Sequence, residues 1–434
     1  MNKKEAEDYI YESYLKAEKY QNYNEIDANK RRPDLSKKVI EGLSITDSVV
    51  VTGSKGKGSV SCMVSQILQT KMKVGLLTSP HLVNFCERFK INGQDISDAD
   101  FIKHIEKIKP IFEKIDKEIP LDVCISPIGI QVAVALSYFN ENNTDFNILE
   151  CGKGAKYDDV NNAIHQYSII NSIFLEHTRE LGDTLEKIAE DKSHVISEGQ
   201  KNTYIANQEA GALDVLLNRA SSMGVPVKLY GRDFWAQNIV FTNKGMHFDV
   251  VIDTKMYDNI TIPLLGEHQA KNCALALALC KDIIGDFNMD EVRTKLLEIN
   301  WPGRMEILKS SPLIMLDACI NRSSCQNVKQ IIKFLNIHKP TVIIGIPDDK
   351  DFVGVVETIY EDADEIVLTK SQNPHYIFTE NQLSVLKEKG FVAMRIPNVQ
   401  DAIRFAEEKE KPIIILGTTS VVSEVKVLRQ RNQF

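Results

Sequence analysis

The sequence has no excess of positive charge, no long apolar run and no cysteines at metal or redox spacing. Lys and Arg number 52 against 60 Asp and Glu, a formal net charge of −8, so the chain has no general attraction to a phosphate polyanion or an anionic membrane. Nucleic-acid binding would need a local basic patch, and none is found. No stretch approaches the roughly 18 uninterrupted apolar residues of a membrane helix. The charged opening Met1–Asp8 is followed by no apolar segment of the signal-peptide kind, so a cytoplasmic protein without a membrane role is expected. The eight cysteines (Cys62, Cys86, Cys124, Cys151, Cys273, Cys280, Cys319 and Cys325) include no C-x-x-C pair. In a chain too long to need disulfide staples they read as reduced, mostly buried thiols rather than as a zinc site. Repeats and low-complexity tracts are absent too.

With 43% hydrophobic and 26% charged residues over 434 positions, the composition is that of a folded globular chain long enough for two or three domains. From residue 47 to about 205, short β-branched runs alternate with amphipathic stretches, the rhythm of a parallel sheet with helices on both faces. The expected strands are Ser48–Thr52, Val74–Thr78, Phe146–Glu150, Ser168–Phe174 and Thr203–Ala206; the expected helices are Val60–Thr70, Gly129–Asn140 and Thr184–Glu198. Asn238–Asp253 reads as a hairpin about Asn243-Lys244-Gly245, an antiparallel insert or edge. A helix rich in Ala and Leu, Gln269–Cys280, leads through Asp290–Asn300 to Trp301-Pro302-Gly303-Arg304, where Pro and Gly suggest a linker. Beyond it, strand-like Leu313–Leu316, Thr341–Ile346, Glu365–Leu368 and Pro412–Leu416 alternate with helical Val328–Leu335, Val355–Tyr360, Glu380–Lys389 and Val399–Lys409, a second and smaller α/β domain. Residues 1–45 read as a charged helical lead-in.

The strongest chemical signal is Val49-Val50-Val51-Thr52-Gly53-Ser54-Lys55-Gly56-Lys57-Gly58-Ser59, a β-branched run that breaks into glycines and then into a helix. Backbone N–H groups bared by such a turn converge on phosphate oxygens, and the helix N-terminus adds a favourable dipole. Lys57 would neutralise charge on the β and γ phosphates, and the Ser59 hydroxyl would sit on Mg²⁺. The match to G-x-x-x-x-G-K-[ST] is not letter for letter, because Gly58 separates Lys57 from Ser59.

The variant T-G-x-x-G-K-G-S resembles the loop of the Mur ligase superfamily, in particular of its folylpolyglutamate synthase/dihydrofolate synthase branch, and further segments resemble that branch in chain order. Ser79-Pro80-His81-Leu82-Val83, with Phe85, Glu87-Arg88 and Asn92-Gly93, is similar to S-P-H-L-x-x-F-x-E-R-I-x-x-N-G. Glu150-Cys151-Gly152, with Asp158 and Asn161, resembles E-V-G-L-G-G-R-x-D-x-T-N. His177-Thr178, Leu181-Gly182-Asp183-Thr184 and Lys192 track D-H-x-x-x-L-G-x-T and the helix after it. Gly266, His268-Gln269 and Asn272 match G-x-H-Q-x-x-N-A, and Trp301-Pro302-Gly303-Arg304-Met305-Glu306 matches W-P-G-R-x-E.

The resemblance implies an α/β, Mur-ligase-like fold. A P-loop ATP-binding domain with a mainly parallel sheet would span residues 1–298, with the lead-in at 1–45 and an antiparallel insert at about 230–265. A smaller Rossmann-like domain, residues 299–434, would complete the ATP and acceptor site. The implied reaction is ATP-dependent amide formation: a carboxylate becomes an acyl phosphate, and an amine captures it with release of ADP. Thr52 to Ser59, Asn272, Arg304 and Asp317 would bind the nucleotide, Asn272 at the adenine. Ser59, Glu150 and His177 would hold Mg²⁺, and a carbamylated Lys192 would help bind a second Mg²⁺. Lys57, Lys192, His177 and Arg304 would carry the chemistry. Ser79, His81, Arg88, Lys156, Asp158, Ile320 and Asn321 would face the substrates, Arg88 as a contact for an anionic one. The expected partners are a small-molecule carboxylate and an amine, and the expected state is a monomer or weak homodimer.

Departures from the branch gather near the acceptor. Its D-G-A-H-N-P segment reads Asp317-Ala318-Cys319-Ile320-Asn321-Arg322 here, and the apolar Ile320 cannot donate a hydrogen bond to a carboxylate as the histidine does. Glu176 stands for the aspartate before the histidine of the metal segment, Lys156 for an arginine, and Ser54-Lys55 for the usual Thr-Asn of the P-loop. Two readings follow: a ligase with an altered, non-glutamate and non-folate acceptor, or a non-ligating nucleotide-binding paralogue acting as a partner or regulator.

Overall fold

Ser48–Thr52 forms β1, buried on every residue, because helices cover both faces of the sheet it centres. The computed structural model describes residues 1–21 and 30–434; the 22–29 part of the helical lead-in lies outside the described residues. The rest of that lead-in forms helices Lys3–Glu18 and Asp34–Leu43, the first opened by a reciprocal cap between Asn2 and Glu5.

The first sheet has eight strands: β1, β2 (Val74–Leu77), β3 (Phe89–Ile91), β4 (Gln94–Asp95), β5 (Phe146–Glu150), β6 (Tyr167–Ile170), β7 (Asn202–Ile205) and β8 (Val227–Leu229). Their order is β4-β3-β2-β5-β1-β6-β7-β8. The run from β2 to β8 is parallel, and β3 and β4 add an antiparallel edge. A three-stranded antiparallel sheet follows, β9 (Phe234–Thr242), β10 (Gly245–Ile252) and β11 (Lys255–Ile262), so the expected hairpin gains a third strand. Six strands make the last sheet: β12 (Glu306–Ser310), β13 (Leu313–Asp317), β14 (Thr341–Gly345), β15 (Glu365–Leu368), β16 (Met394–Arg395) and β17 (Ile413–Gly417), in the order β12-β13-β17-β14-β15-β16. Only β12 is antiparallel to its neighbour. The mainly parallel α/β architecture is therefore present in both halves. No helix among the described residues is long and apolar enough to cross a membrane.

Two helices position the site. Lys57–Leu68 follows β1, is buried nearly all round, and packs against Glu267–Ile284, whose small alanines let the two approach closely. Pro127–Glu141 begins with Ser126 as cap and Pro127 in the first turn, where a missing N–H costs nothing.

Local departures from the expected elements have identifiable causes. The strand expected over Ser168–Phe174 stops at Ile170, because Asn171 turns its side chain toward the loop after β1. The helix expected over Thr184–Glu198 stops at Ser193. The 21-residue helix Asp98–Glu118 tolerates Pro110 and was not expected.

Candidate active site

The carboxyl ends of β1, β5 and β6, three neighbouring parallel strands, converge on a cavity of about 670 Å³, where open α/β sheets place ligands. Its opposite wall comes from the end of β13 and the start of helix Arg322–Phe334. The first wall is the loop after β1. Gly53 and Gly56 have φ of +137° and +79°, backbone that only glycine adopts freely, and both are crowded: a Cβ on Gly56 would lie 2.4 Å from Asn171 Nδ2. Ser54, Lys55, Gly56, Lys57, Gly58 and Ser59 line the cavity, while Thr52 and Gly53 lie behind them. Lys57 opens the helix and its Nζ donates to the Gly53 carbonyl at 2.8 Å.

Glu150 ends β5, 5% exposed, and accepts from the Thr78 hydroxyl and from the Ser79 N–H at 3.2 Å. Burial pushes its carboxyl up, and the Lys57 ammonium and Thr78 oppose that. His177 has φ +47° and opens the short helix Thr178–Leu181. Burial holds its imidazole below the usual range, so near neutral pH it keeps a lone pair. Ser59, Glu150 and His177 thus face one space.

Lys192 is fully buried, its ammonium donating to the carbonyls of Gly53 (3.2 Å) and Lys153 (2.7 Å) and pairing with Glu176 Oε1 at 3.1 Å. Two carbonyls take hydrogen bonds from the ammonium and the Glu176 carboxylate compensates its charge. A carbamate on Nζ would place acceptor oxygens where the ammonium now donates, so the two carbonyls and Glu176 would have to give way to it.

Arg88 is 8% exposed and borders the cavity. Nε donates to His81 Nδ1 at 2.9 Å, Nη1 donates to Gln131 Oε1 at 2.8 Å, and the guanidinium lies over the Phe85 ring. Among the described residues no carboxylate pairs with it, a costly arrangement for a buried cation unless a ligand anion completes it. His81 itself stands behind Arg88 and off the cavity, and burial and Arg88 pull its imidazole down to about 4.

Arg304 and Asp317 come from the linker and β13. Asp317 Oδ2 accepts from the Met305 N–H at 2.9 Å and the Gly303 carbonyl accepts from Ala318 at 3.0 Å, which fixes the linker to the strand end. Burial raises the Asp317 carboxyl against the pull of Lys55 and Arg304. Ser79, Ile320 and Asn321 line the cavity, and Asn321 also caps helix Arg322–Phe334. Asn272 lines it too, held between Asn171 (2.9 Å) and Gln269 (3.0 Å).

Besides His81, two more expected substrate residues are elsewhere. Asp158 is 2% exposed and accepts from the N–H groups of Gly152 and Val160; it pins the turn after β5. Lys156 is exposed and extends over Tyr157, outside the cavity. Sequence reasoning gave no role to Asn171, which buttresses both P-loop glycines, because it sat inside an expected strand. His268 was visible only as a motif letter; it lines the cavity with its Nδ1 buried and unpartnered, and burial and the surrounding Lys55, Arg304 and Lys271 pull it down to about 4. Lys55, Lys57, Arg88, Lys153, Lys271 and Arg304 border the cavity against Glu150, Glu176 and Asp317, so the net acidic chain has a locally cationic site.

The family model "Mur ligase middle domain" matches residues 51–280. The chain belongs to the Mur ligase family. Within it the relatives place it in the folylpolyglutamate synthase/dihydrofolate synthase branch. It is 27% identical over 396 residues to the dihydrofolate synthase/folylpolyglutamate synthase of Bacillus subtilis, covering 87% of this chain and 89% of that one. It is 30% identical over 309 residues to a probable bifunctional folylpolyglutamate synthase/dihydropteroate synthase of Halobacterium salinarum, 70% of this chain but 37% of that longer protein. Mycobacterium tuberculosis folylpolyglutamate synthase, solved in complex with ADP, has the same fold: TM-score 0.87, 24% identity, 92% of this chain and 95% of that one covered. This Mur ligase family member is an ATP-dependent, ADP-forming ligase that makes an amide.

Proposed function

We propose that this ligase joins a small anionic carboxylic acid to an amine through an acyl phosphate, with ATP and Mg²⁺, and that the amine is not glutamate. The observation that carries the reading is the meeting of the P-loop, Glu150, His177, Arg88 and Arg304 around one cavity. The bared N–H groups of the loop and the helix dipole receive the phosphates. Lys57, whose ammonium meets only the Gly53 carbonyl, exchanges that contact for phosphate oxygens.

The Ser59 hydroxyl, the Glu150 carboxylate and the neutral His177 imidazole are a donor set that fits Mg²⁺ while leaving places for phosphate oxygens and water. Bound there, Mg²⁺ supplies charge neutralisation for the transferring phosphoryl group. Arg88, prealigned by His81 and Gln131, holds the anionic donor. A donor carboxylate oxygen attacks the γ-phosphorus as the bond to the bridging oxygen breaks and ADP leaves. The amine nitrogen then attacks the acyl carbon, phosphate departs, and the nitrogen loses a proton.

The acceptor reading rests on the second wall. Ala318, Ile320, Ser323, Asn327 and Thr419 bring methyl, hydroxyl and amide groups. The Arg322 guanidinium turns outward to Glu357 and its N–H meets Asp351. A dicarboxylate amine would meet no cation on this wall. Incubating the protein with ATP, Mg²⁺ and a panel of pteroate-like and other acids and amines, with ADP release and product mass as readouts, tests the reading. Amide product with a non-glutamate amine supports it; glutamate as the best acceptor overturns the acceptor assignment; nucleotide binding without any amide favours the non-ligating paralogue.

A further inference from the structure

We infer that Lys55 is a second phosphate-contacting lysine of the P-loop, one that meets the terminal phosphoryl group from the side of the second α/β half and so distinguishes a triphosphate from a diphosphate. The inference deepens the ligase reading and rests on it.

Most of the cavity's other cations have partners when no ligand is present; Lys271, which has none among the described residues, is exposed to solvent on helix Glu267–Ile284. Lys57 donates to Gly53, Lys192 meets two carbonyls and the Glu176 carboxylate, Arg88 is held by His81 and Gln131, and Arg304 donates to the Gly303 carbonyl at 3.0 Å. Lys55 borders the same cavity, yet among the described residues no hydrogen-bond or ion-pair partner lies within reach of its ammonium. Its charged surroundings come from both halves of the chain: Asp317 and Cys319 at the end of β13, Arg304 on the linker, and Glu176. Burial lowers its ammonium affinity for a proton. A partly buried, unpaired cation gains little from its surroundings, and its presence two residues before Lys57, beside Arg304 and the unpartnered His268 Nδ1, is accounted for by an anion that arrives with the ligand.

Chain order decides which anion. Lys57 sits at the helix start, where the loop N–H groups gather phosphates close to the sheet. Lys55 precedes the Gly56 turn and faces the β13 wall. An oxygen that reaches it lies between the halves, on the side from which the acceptor attacks, which is the position of the phosphoryl group being transferred. A diphosphate has no group to place there.

The test measures binding of ADP and of a non-hydrolysable ATP analogue to the native protein and to Lys55→Gln, Lys55→Met and Lys55→Arg by calorimetry, with thermal melts of the ligand-free proteins. The expected result is a fall of about tenfold or more in analogue affinity for Lys55→Gln and Lys55→Met, ADP affinity within about twofold, partial recovery in Lys55→Arg, and a ligand-free melting temperature for Lys55→Met at or above the native one. Equal loss of ADP and analogue binding, or unchanged analogue binding, overturns the role of Lys55 while leaving the ligase reading intact. Failure of the native protein to bind either nucleotide overturns the ligase reading itself and the Lys55 role with it.

Discussion

The indole of Trp301 lies against Gly58 so closely that a Cβ on the glycine would stand 2.8 Å from Trp301 Cζ2. The linker that carries Arg304 therefore rests on the first turn of the P-loop helix, and the absence of a side chain at position 58 makes that contact possible. Gly58→Ala is expected to push the indole and the linker outward, lowering ATP affinity several-fold while the fold persists. Calorimetric titration with ATP beside a thermal melt checks it. Because Trp301 and Trp235 are the only tryptophans, Trp301→Phe should also abolish any nucleotide-dependent change in emission that Trp235→Phe retains.

Lys57 makes its one hydrogen bond to a backbone carbonyl of its own loop, so on the proposed reading its removal costs nucleotide turnover far more than it costs the fold. Lys57→Ala is expected to lower ATP turnover by at least about a hundredfold, the scale of a charge-stabilising contact on the transferring phosphate, with the melting temperature within about two degrees of native. Normal ADP release by a folded Lys57→Ala protein would falsify the phosphate-loop assignment.

Much of this architecture was legible because parallel strands buried on both faces leave unbroken β-branched runs. Ser48–Thr52 and Phe146–Glu150 coincide with β1 and β5 for that reason. Alternation and turn signals were weaker guides: β11, with exposed Lys255, Met256 and Asp258, lacks a clean apolar face, and β12 carries only one buried residue, Leu308. At the site, the P-loop and Glu150 declared themselves through local pattern, whereas the ion pair of Lys192 with Glu176 depends on a tertiary approach between the β6 loop and a later helix. The same holds for Asp158, whose capping of Gly152 and Val160 no spacing rule separates from a substrate contact.

Lys192 and Glu176 form a pair in which one partner is fully buried. Replacing the acid alone leaves an uncompensated ammonium, a loss of about 3–5 kcal/mol for breaking such a pair. Glu176→Ala is expected to lower the melting temperature strongly, and Glu176→Gln less so, since its carbonyl still accepts. Native protein incubated with ¹³C-bicarbonate is expected to give no carbamate resonance; a signal lost in Lys192→Arg would show that the carbonyls and the carboxylate yield to the modification.

The His81–Arg88 contact sets a pH dependence. Arg88 Nε donates to His81 Nδ1, which must be unprotonated to accept, and the folded value of about 4 lies below the ordinary 6.5. A depressed folded value means the contribution is whole above pH 6.5 and is lost as the pH falls toward 4. Stability of the native protein should therefore decline over that window, and His81→Gln, which still offers an acceptor, should flatten part of the decline. Urea midpoints at pH 7.5, 5.5 and 4.5 for the two proteins check this, with equal slopes counting against the role of His81.

Ile320 occupies the cavity wall where the branch carries a histidine, yet the wall around it differs by more than one side chain. Arg322 is turned away by Glu357 and Asp351, and Asn321 is committed to capping Ser324. Restoring an imidazole alone supplies one hydrogen-bonding group and no second contact for the two carboxylates of glutamate, and a single unassisted contact of this kind contributes only about 1 kcal/mol. Ile320→His is accordingly expected to leave glutamate-dependent ADP release at background in the presence of any acid the native protein activates. Robust glutamate addition by that variant, seen as product mass, would mean that the acceptor's carboxylates are held by the cations of the P-loop half rather than by the second wall, and the amine would then have to approach across Lys55 and Lys153.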